Sequence, residues 1–325
     1  MKALTKQASP PPPTPAGAIT ARGLRKAYGG KVVLDGVDLT IGEGEVFALL
    51  GPNGAGKTTT VHILSTLIPA DGGTAAILGH DVRAQADAVR AVIGVTGQFA
   101  AVDNLLTGEE NLLLMGRLLH LPMAERRARA ANLLERFDLV EAAGQLPSTY
   151  SGGMTRRLDI AMTLMGRPRL IFLDEPTTGL DPRSRHTMWD VIRDLSADGV
   201  TILLTTQYLE EADQLADRIA VLDHGRIVAE GTPEELKQRI PGAHIRLQFA
   251  DAAALNAAAL ALAEASRDDG DLALRIPNDG GIRSLREVLA RLGDDVAVAD
   301  LSIHTPDLED VFFALTGGPA QGESQ

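Results

Sequence analysis

The chain has 325 residues, of which 45% are hydrophobic, and this length predicts about two domains with substantial cores. Its formal net charge of −12 argues against a nucleic-acid-binding protein, which would normally be basic, so we expect no nucleic-acid partner. The sequence contains no cysteine, which excludes disulfides, thiol catalysis and cysteine-bound metals. No apolar run approaches the roughly 20 residues that a membrane-spanning helix needs, so we expect no direct membrane insertion.

The first part of the sequence alternates short strand-like segments with glycine turns. The proline-rich residues 1–18 predict an extended, disordered tail. Three strand-like segments follow, "ITARGLRKAYGG", "KVVLDGVDLTI" and "EVFALLG", after which residues 57–67 have a helical pattern. The segments "TAAILG" and "IGVTG" are again typical of strands. This alternation indicates an α/β fold.

The middle of the sequence predicts a helical region followed by buried strands. Residues 107–166 carry leucines at helical spacing, as in "NLLLMGRLLHL", and predict an almost entirely helical segment. The apolar runs "LIFLDE" and "VTILLTT" then flank another helix, which is typical of a parallel sheet buried on both faces. The segment "RIAVLDHGRIVAEG" predicts a hairpin that turns at His224 and Gly225.

A capping-box pattern marks the next helix, because Thr232, Pro233 and Glu235 suit its N-cap, first and third positions. The composition then changes and alanine becomes frequent. Residues 242–317 predict a small α+β domain, and residues 318–325 a disordered tail.

The last helix of that domain, in "TPDLEDVFFALTG", is amphipathic. It places Leu308, Val311, Phe312 and Leu315 on one face. This face either docks on its own domain or contacts a second copy of the chain, and the sequence leaves both alternatives open.

The segment "GPNGAGKTTT" carries the most specific chemical signal. It matches the phosphate-binding pattern G-x-x-x-x-G-K-[ST], in the expected position between a strand and a helix. Glycines let successive N–H groups point inward, and the N-terminus of the following helix favours anions. We expect Lys57 to bind the β- and γ-phosphates of ATP and Thr58 to offer its hydroxyl to Mg²⁺. The predicted nucleotide-binding residues here are Gly51, Pro52, Asn53, Gly54, Ala55, Gly56, Lys57, Thr58 and Thr59.

A second motif, "LIFLDEP", is acidic and ends a buried strand with two carboxylates. Ligands of open α/β sheets bind at the carboxyl ends of the strands. We therefore expect Asp174 to be a metal ligand that acts through water, and Glu175 to be the general base for an attacking water. A solvated strand end is the alternative interpretation of this motif taken alone.

The segment "YSGGMTRRLDIAM" resembles the signature motif of ABC-type ATPases, whose usual form is leucine-serine-glycine-glycine-glutamine. Ser151, Gly152 and Gly153 match it, whereas Tyr150 replaces the leucine and Met154 the glutamine. A serine and two glycines before an amphipathic helix form another anion-binding N-terminus. The resemblance implies that these three matching residues bind nucleotide, although an ordinary capped helix shares their pattern.

Other elements of that family follow in the expected order, and the resemblance implies their roles. Tyr28 would stack on adenine, Gln98 would approach Mg²⁺ and sense the transporter subunit, and Asp181 would lie in the loop between two nucleotide sites. Their alternatives are a core tyrosine, a polar strand end and a helix-start turn. Gln207 stands where the family usually has a histidine that touches the γ-phosphate. We expect Gln207 to act as a neutral γ-phosphate sensor, because an amide donates a hydrogen bond but does not shuttle a proton.

The resemblance covers about residues 19–240 and implies the fold of an ABC-type P-loop ATPase domain. Such a domain has a mostly parallel core sheet, an antiparallel β subdomain and a helical subdomain, here at about residues 99–166. The implied cofactors are ATP and Mg²⁺. The implied partners are a second copy, bound head to tail through the nucleotide sites, and an integral membrane permease at the cytoplasmic face of the cell membrane.

The chain is similar to the daunorubicin/doxorubicin-resistance subgroup of ABC export ATPases in four features taken together. These are Gln207, the signature motif that begins with tyrosine, the proline-rich start and the final segment "TPDLEDVFFALTG". This similarity implies an ATPase subunit that powers the efflux of a hydrophobic, drug-like compound. A soluble ABC-type ATPase outside transport and an importer subunit are the alternative functions. The sequence does not identify the transported compound.

Overall fold

The structure is a computed structural model that describes residues 17–239, 244–277, 282–293, 296–304 and 307–316. Most of the expected N-terminal tail and all of the expected C-terminal tail lie outside these residues. The chain divides into two compact units between Thr232 and Pro233, whereas the sequence analysis ends the first domain at about residue 240. None of the described helices is long and apolar enough to cross a membrane.

The first unit contains ten strands and seven helices among its described residues. The strands are β1 (Ile19–Tyr28), β2 (Lys31–Ile41), β3 (Val46–Leu50), β4 (Gly72–Ile77), β5 (His80–Asp81), β6 (Ile93–Thr96), β7 (Leu170–Asp174), β8 (Thr201–Thr206), β9 (Arg218–Asp223) and β10 (Arg226–Gly231). The helices are α1 (Lys57–Leu64), α2 (Ala86–Val92), α3 (Gly108–Leu118), α4 (Met123–Arg136), α5 (Gly152–Leu164), α6 (Pro182–Ala197) and α7 (Leu209–Leu215).

The strands of this unit form two sheets. One is antiparallel, in the order β2-β1-β4-β5, and the other has the order β10-β9-β3-β8-β7-β6. In the second sheet all neighbouring strands are parallel except β10, which pairs antiparallel with β9. The predicted parallel core sheet, the antiparallel subdomain and the hairpin after Asp223 are therefore confirmed.

The register of the parallel sheet sets the position of the site. Every residue of β3, β7 and β8 is buried, as their continuous apolar runs predict. Leu50 pairs with Thr206, and Asp174 pairs with Thr205. The residues that follow β3, β7 and β8 therefore leave the sheet at the same edge.

The helical region differs in part from the expected pattern. Residues 137–151, between α4 and α5, form turns and one short 3₁₀ turn at Pro147–Thr149. Helix α4 stops before this segment, where Asp138 has a positive φ of 52° that no α-helix accommodates. Of the two leucines in this segment, Leu139 is buried whereas Leu146 is 42% exposed, so the expected helical pattern does not hold here.

The second unit is an α+β structure, as its composition predicts. Its elements are α8 (Pro233–Gln238), β11 (His244–Phe249), α9 (Ala252–Ala261), β12 (Ser266–Asp268), β13 (Ala273–Pro277), α10 (Ile282–Leu292), β14 (Val298–His304) and α11 (Leu308–Thr316). The strands form an antiparallel sheet in the order β12-β13-β11-β14. Helix α11 packs on α8, and its Leu308 and Val311 are buried whereas Leu315 is 38% exposed. These contacts favour docking of the helix on its own unit.

Candidate functional site

Two glycines shape the turn between β3 and α1. A Cβ atom on Gly51 would lie 2.2 Å from the carbonyl oxygen of Leu222, so no larger residue fits there. Gly56 has a φ of +113°, and a Cβ on it would lie 2.6 Å from Leu34 Cδ2. The loop therefore closes tightly against β9 and β2, with its backbone held close to the start of α1.

The start of α1 suits a phosphate group. The first N–H groups of any helix lack acceptors within the helix. Among the described residues, no side chain accepts a hydrogen bond as a cap of α1, whose N-cap is Gly56. The N–H groups at Lys57, Thr58 and Thr59 are thus available to an anion, which the helix dipole also favours.

Lys57 is buried beside this helix start, with a side chain that is only 3% exposed. Its ammonium donates to the carbonyl oxygens of Gly51, at 2.8 Å, and Pro52, at 3.2 Å. It also lies 3.4 Å from Glu175 Oε1. Burial lowers the pKa of Lys57, and the nearby Glu175 carboxylate opposes that change. A fixed ammonium at this depth is well placed to bind phosphate oxygens.

Asp174 links the end of β7 to two hydroxyl groups. Thr58 Oγ1 donates to Asp174 Oδ1 at 3.3 Å, and Thr205 Oγ1 donates to the same oxygen. Carboxylate and hydroxyl oxygens suit Mg²⁺. Within the described residues, no group of three His, Cys, Asp or Glu side chains could hold a metal. A cation here would therefore need phosphate oxygens or water as additional ligands.

Glu175 has an unusual backbone conformation. Its φ is +48°, in the left-handed region that costs a residue with a side chain about 1–3 kcal/mol. Its N–H donates to both O and Oγ1 of Thr205, at 3.1 Å each. Its Oε2 accepts from Thr178 Oγ1 at 3.3 Å. Strand β8 therefore holds the strained turn, which keeps the carboxylate beside Lys57.

A second group of residues lies at the starts of α5 and α6. Ser151 is the N-cap of α5 and accepts from the Met154 N–H at 3.2 Å. Asp181 is the N-cap of α6 and accepts from Ser184 N, at 3.0 Å, and Ser184 Oγ, at 2.6 Å. These bonds lower the pKa of Asp181, which keeps the cap ionised. We call Lys57, Thr58, Asp174 and Glu175 the phosphate-loop cluster, and Ser151, Gly152, Gly153 and Asp181 the signature cluster.

The side chains of three predicted site residues make no hydrogen bond or ion pair with either cluster among the described residues. Gln98 is exposed after β6, and Gln207 is half-buried after β8. No hydrogen bond from either amide appears within the residues that the structure describes. Tyr28 is 49% exposed at the end of β1, where the Lys26 ammonium lies 5.5 Å from the centre of its ring.

Comparisons with known proteins decide the family. Residues 34–178 match the ABC transporter family. The chain is 50% identical over 315 residues to the daunorubicin/doxorubicin resistance ATP-binding protein of Streptomyces peucetius, covering 95% of this chain and 96% of that protein. This chain belongs to the ABC transporter ATP-binding proteins. It is also 48% identical to a doxorubicin resistance ATP-binding protein of Mycobacterium tuberculosis, covering 94% and 95% of the two chains.

Solved structures agree with this assignment. An ATP-binding subunit of an ABC transporter is 30% identical with a TM-score of 0.62, and the match covers 68% of this chain and 92% of that one. A dimeric ATP-binding cassette with bound ADP and phosphate is 29% identical with a TM-score of 0.60, covering 66% and 98%. The expected family, fold and ATPase activity are thus confirmed, and this member of the family binds and hydrolyses ATP.

Several residues that hold the site together are not among the predicted site residues. Thr205 contacts both Asp174 and Glu175, and Arg156 donates to main-chain oxygens on either side of Glu175. Tyr150, noted only as a departure from the family, donates its hydroxyl to Ala142 O at 2.7 Å. The available signal was a polar side chain at a buried position, such as Arg156 on the apolar face of α5.

Proposed function

We propose that this chain is the ATP-hydrolysing subunit of an ABC exporter that powers the efflux of a hydrophobic, drug-like compound through a separate membrane permease. The phosphate-loop cluster, in which Lys57 lies 3.4 Å from Glu175, supports the ATPase part of this proposal. The resistance relatives, together with a Nod factor export ATP-binding protein that is 40% identical over 302 residues, support export.

The residues of the phosphate-loop cluster divide the work of hydrolysis. Lys57 and the N–H groups at the start of α1 bind the β- and γ-phosphates. Thr58 and Asp174 supply oxygens to Mg²⁺, which neutralises phosphate charge when bound. Glu175 accepts the proton of the attacking water. Gln98 and Gln207 follow β6 and β8, the strands on either side of β7, at the same edge of the sheet. Gln98 would contribute an oxygen to a bound Mg²⁺, and Gln207 would donate to the γ-phosphate.

The signature cluster would act on a second molecule. Ser151 and Gly152 are exposed, and a helix start on the surface is accessible to a nucleotide held by another chain. In a head-to-tail homodimer, ATP would lie between Lys57 of one protomer and Ser151 of the partner subunit. Tyr28 would stack on adenine, and Asp181 would line the contact between the sites. Binding of the permease would hold the dimer at the cytoplasmic face of the membrane.

Glu175→Gln tests the general base. The amide has the same shape but does not accept the proton, so we expect ATP binding to persist while hydrolysis falls about 10²–10⁴-fold. The measurements are phosphate release, binding of labelled ATP, and gel filtration with Mg²⁺ and ATP, which should trap the dimer. Glu210→Gln, at an exposed position of α7, is the control and should hydrolyse ATP like the parent.

Parent rates of hydrolysis in Glu175→Gln would refute Glu175 as the base. To test export, the membrane protein that co-purifies with the chain is first isolated. The two proteins are then expressed together in cells loaded with daunorubicin, and efflux is measured. Loss of efflux in Glu175→Gln supports the proposed function. Uptake, or no transport with an active ATPase, overturns it in favour of an importer or a non-transport role.

A further inference from the structure

Arg156 is a buried arginine to which the proposed hydrolysis assigns no role. It lies on α5 with a side chain that is only 7% exposed. Its Nε donates to Pro176 O at 3.0 Å, and its Nη2 donates to Asp174 O at 3.1 Å. Its Nη1 donates to Gly97 O at 2.6 Å. One guanidinium thus connects α5 with two separate segments, one at Gly97 and one around Glu175.

The carbonyl groups that Arg156 contacts flank the residues that matter for hydrolysis. Asp174 and Pro176 are the neighbours of Glu175, so the guanidinium holds both sides of the residue proposed as the base. Gly97 directly precedes Gln98. A backbone φ of +48° at Glu175 persists only where surrounding contacts over-determine it, and Arg156 supplies two of these contacts.

Asp159 completes the arrangement one helical turn further along α5. Its side chain is 5% exposed, and its Oδ2 accepts from Arg156 Nη1 at 3.2 Å. Its other oxygen, Oδ1, accepts from the N–H of Ala101 at 3.0 Å. The two side chains therefore hold both ends of residues 97–101, the segment that contains Gln98.

This ion pair is costly in isolation, because both charges are removed from water. Burial lowers the pKa of Arg156 and raises the pKa of Asp159, and the attraction between the two groups opposes both changes. An apolar pair of similar size would fill the same space without that cost. What an apolar pair would lack is the set of hydrogen bonds to the two loops.

We propose that Arg156 and Asp159 form a positioning pair that fixes residues 97–101 and the backbone at Glu175 relative to each other. The pair bonds to main-chain oxygens, to one main-chain N–H and within itself, so it acts through the backbone at Glu175. A displacement of residues 97–101 is then transmitted to the base through one rigid guanidinium. This inference rests on the proposed role of Glu175.

The geometry requires an arginine. Its planar fork directs donors toward three carbonyl oxygens and one carboxylate, whereas a lysine carries its donors on a single atom. Arg156→Lys keeps the charge but loses most of these bonds. Asp159→Asn keeps the size, loses the charge and weakens the hold on Arg156.

The test compares this pair with an exposed pair of the same residue types and spacing. Arg193 and Asp190 on α6 are also three positions apart, with side chains 45% and 72% exposed. The variants are Arg156→Lys and Asp159→Asn, with Arg193→Lys and Asp190→Asn as controls. Each is measured for kcat, for ATP affinity at equilibrium, and for hydrogen exchange at the Ala101 amide.

We expect kcat to fall about tenfold or more in Arg156→Lys and Asp159→Asn, since small misplacements of catalytic groups have such effects. ATP affinity should remain close to the parent value, and the Ala101 amide should exchange faster in Asp159→Asn. The control variants should match the parent in all three measurements.

Parent kcat in both variants overturns the positioning role. A parallel loss of kcat, ATP affinity and folded fraction also overturns it, because a merely structural pair predicts that result. If Arg156→Lys does not fold, Asp159→Asn decides alone. These outcomes are distinct from failure of the proposed base, because that failure would appear as full hydrolysis in Glu175→Gln.

Discussion

The two helix starts proposed to contact the phosphates of ATP, those of α1 and α5, are built differently. The α1 start belongs to the phosphate-loop cluster, where the Lys57 side chain is 3% exposed and Asp174 is likewise 3% exposed. The α5 start belongs to the signature cluster, where Ser151 and Gly152 are exposed. A single chain thus supplies the lysine, carboxylates and hydroxyls of the phosphate-loop cluster. The signature cluster instead has Ser151 and Gly152 at the surface.

The difference teaches how similar local sequences acquire different roles. Both segments place glycines at a helix start, since Gly56 is the N-cap of α1 and Gly152 and Gly153 are the first two residues of α5. Each start therefore has free or weakly capped N–H groups. The α1 start follows a central buried strand, so the ends of β7 and β8 bring carboxylates and hydroxyls to it. The α5 start follows a surface turn and is capped by its own serine. Tertiary position, and not the glycine pattern, decides between holding a phosphate and presenting a surface to it.

Lys57→Ala removes the ammonium of the phosphate-loop cluster and should have the largest effect on ATP affinity. The variant loses the buried ammonium, and hydrogen bonds from charged groups are worth about 1.5–3 kcal/mol. We therefore expect ATP affinity to fall about tenfold to a hundredfold. Titration calorimetry with ATP measures it, and Arg90→Ala, at an exposed position of α2, should keep the parent affinity. Unchanged affinity in Lys57→Ala would contradict the assigned phosphate site.

Gly153→Ala changes the signature cluster and leaves the phosphate-loop cluster unchanged. The added Cβ would lie 2.7 Å from Ser184 Oγ, which itself donates to Asp181, so the starts of α5 and α6 must move apart. We expect hydrolysis to fall about tenfold, as for other small misplacements near a site, with ATP affinity unchanged.

Phosphate release and calorimetry separate those two effects. The matched control is Gly144→Ala, because a Cβ at exposed Gly144 meets nothing within 4 Å. If ATP affinity in Gly153→Ala falls as much as in Lys57→Ala, the phosphate-loop cluster and the signature cluster are not independent.

The members of the phosphate-loop cluster can be selected from the sequence because each of its motifs carries its own chemistry. The apolar strands before Gly51 and before Asp174, and the helix after Gly56, are local features. The contact of Thr205 with Asp174 depends instead on the register between β7 and β8, which joins residues 31 positions apart. No periodicity within either strand encodes that register.

The signature cluster was predicted from family resemblance more than from physics. Serine, glycine and aspartate at helix starts are ordinary caps, and the structure has Ser151 and Asp181 in that role. Arg156 is marked only by being a charged residue on the buried face of α5, because its partners are carbonyl groups, which every residue carries and no sequence pattern marks. The leucine pattern predicts helix at residues 137–151, whereas α4 ends at Arg136, shortly before the positive φ of 52° at Asp138.

Tyr150→Phe should give the smallest effect, and it tests how firmly the signature cluster is anchored. The Tyr150 hydroxyl donates to Ala142 O at 2.7 Å, an oxygen that also accepts from Gln145 N at 2.9 Å. Because a second donor remains, the free energy of unfolding should fall by about 1 kcal/mol or less. Urea denaturation measures it. The control is Tyr208→Phe. The Tyr208 hydroxyl makes no hydrogen bond within the described part of the chain, and the phenylalanine ring would keep its place under Arg185. Equal stability of the two variants would mean that this hydroxyl does not anchor the start of α5 to residues 137–151.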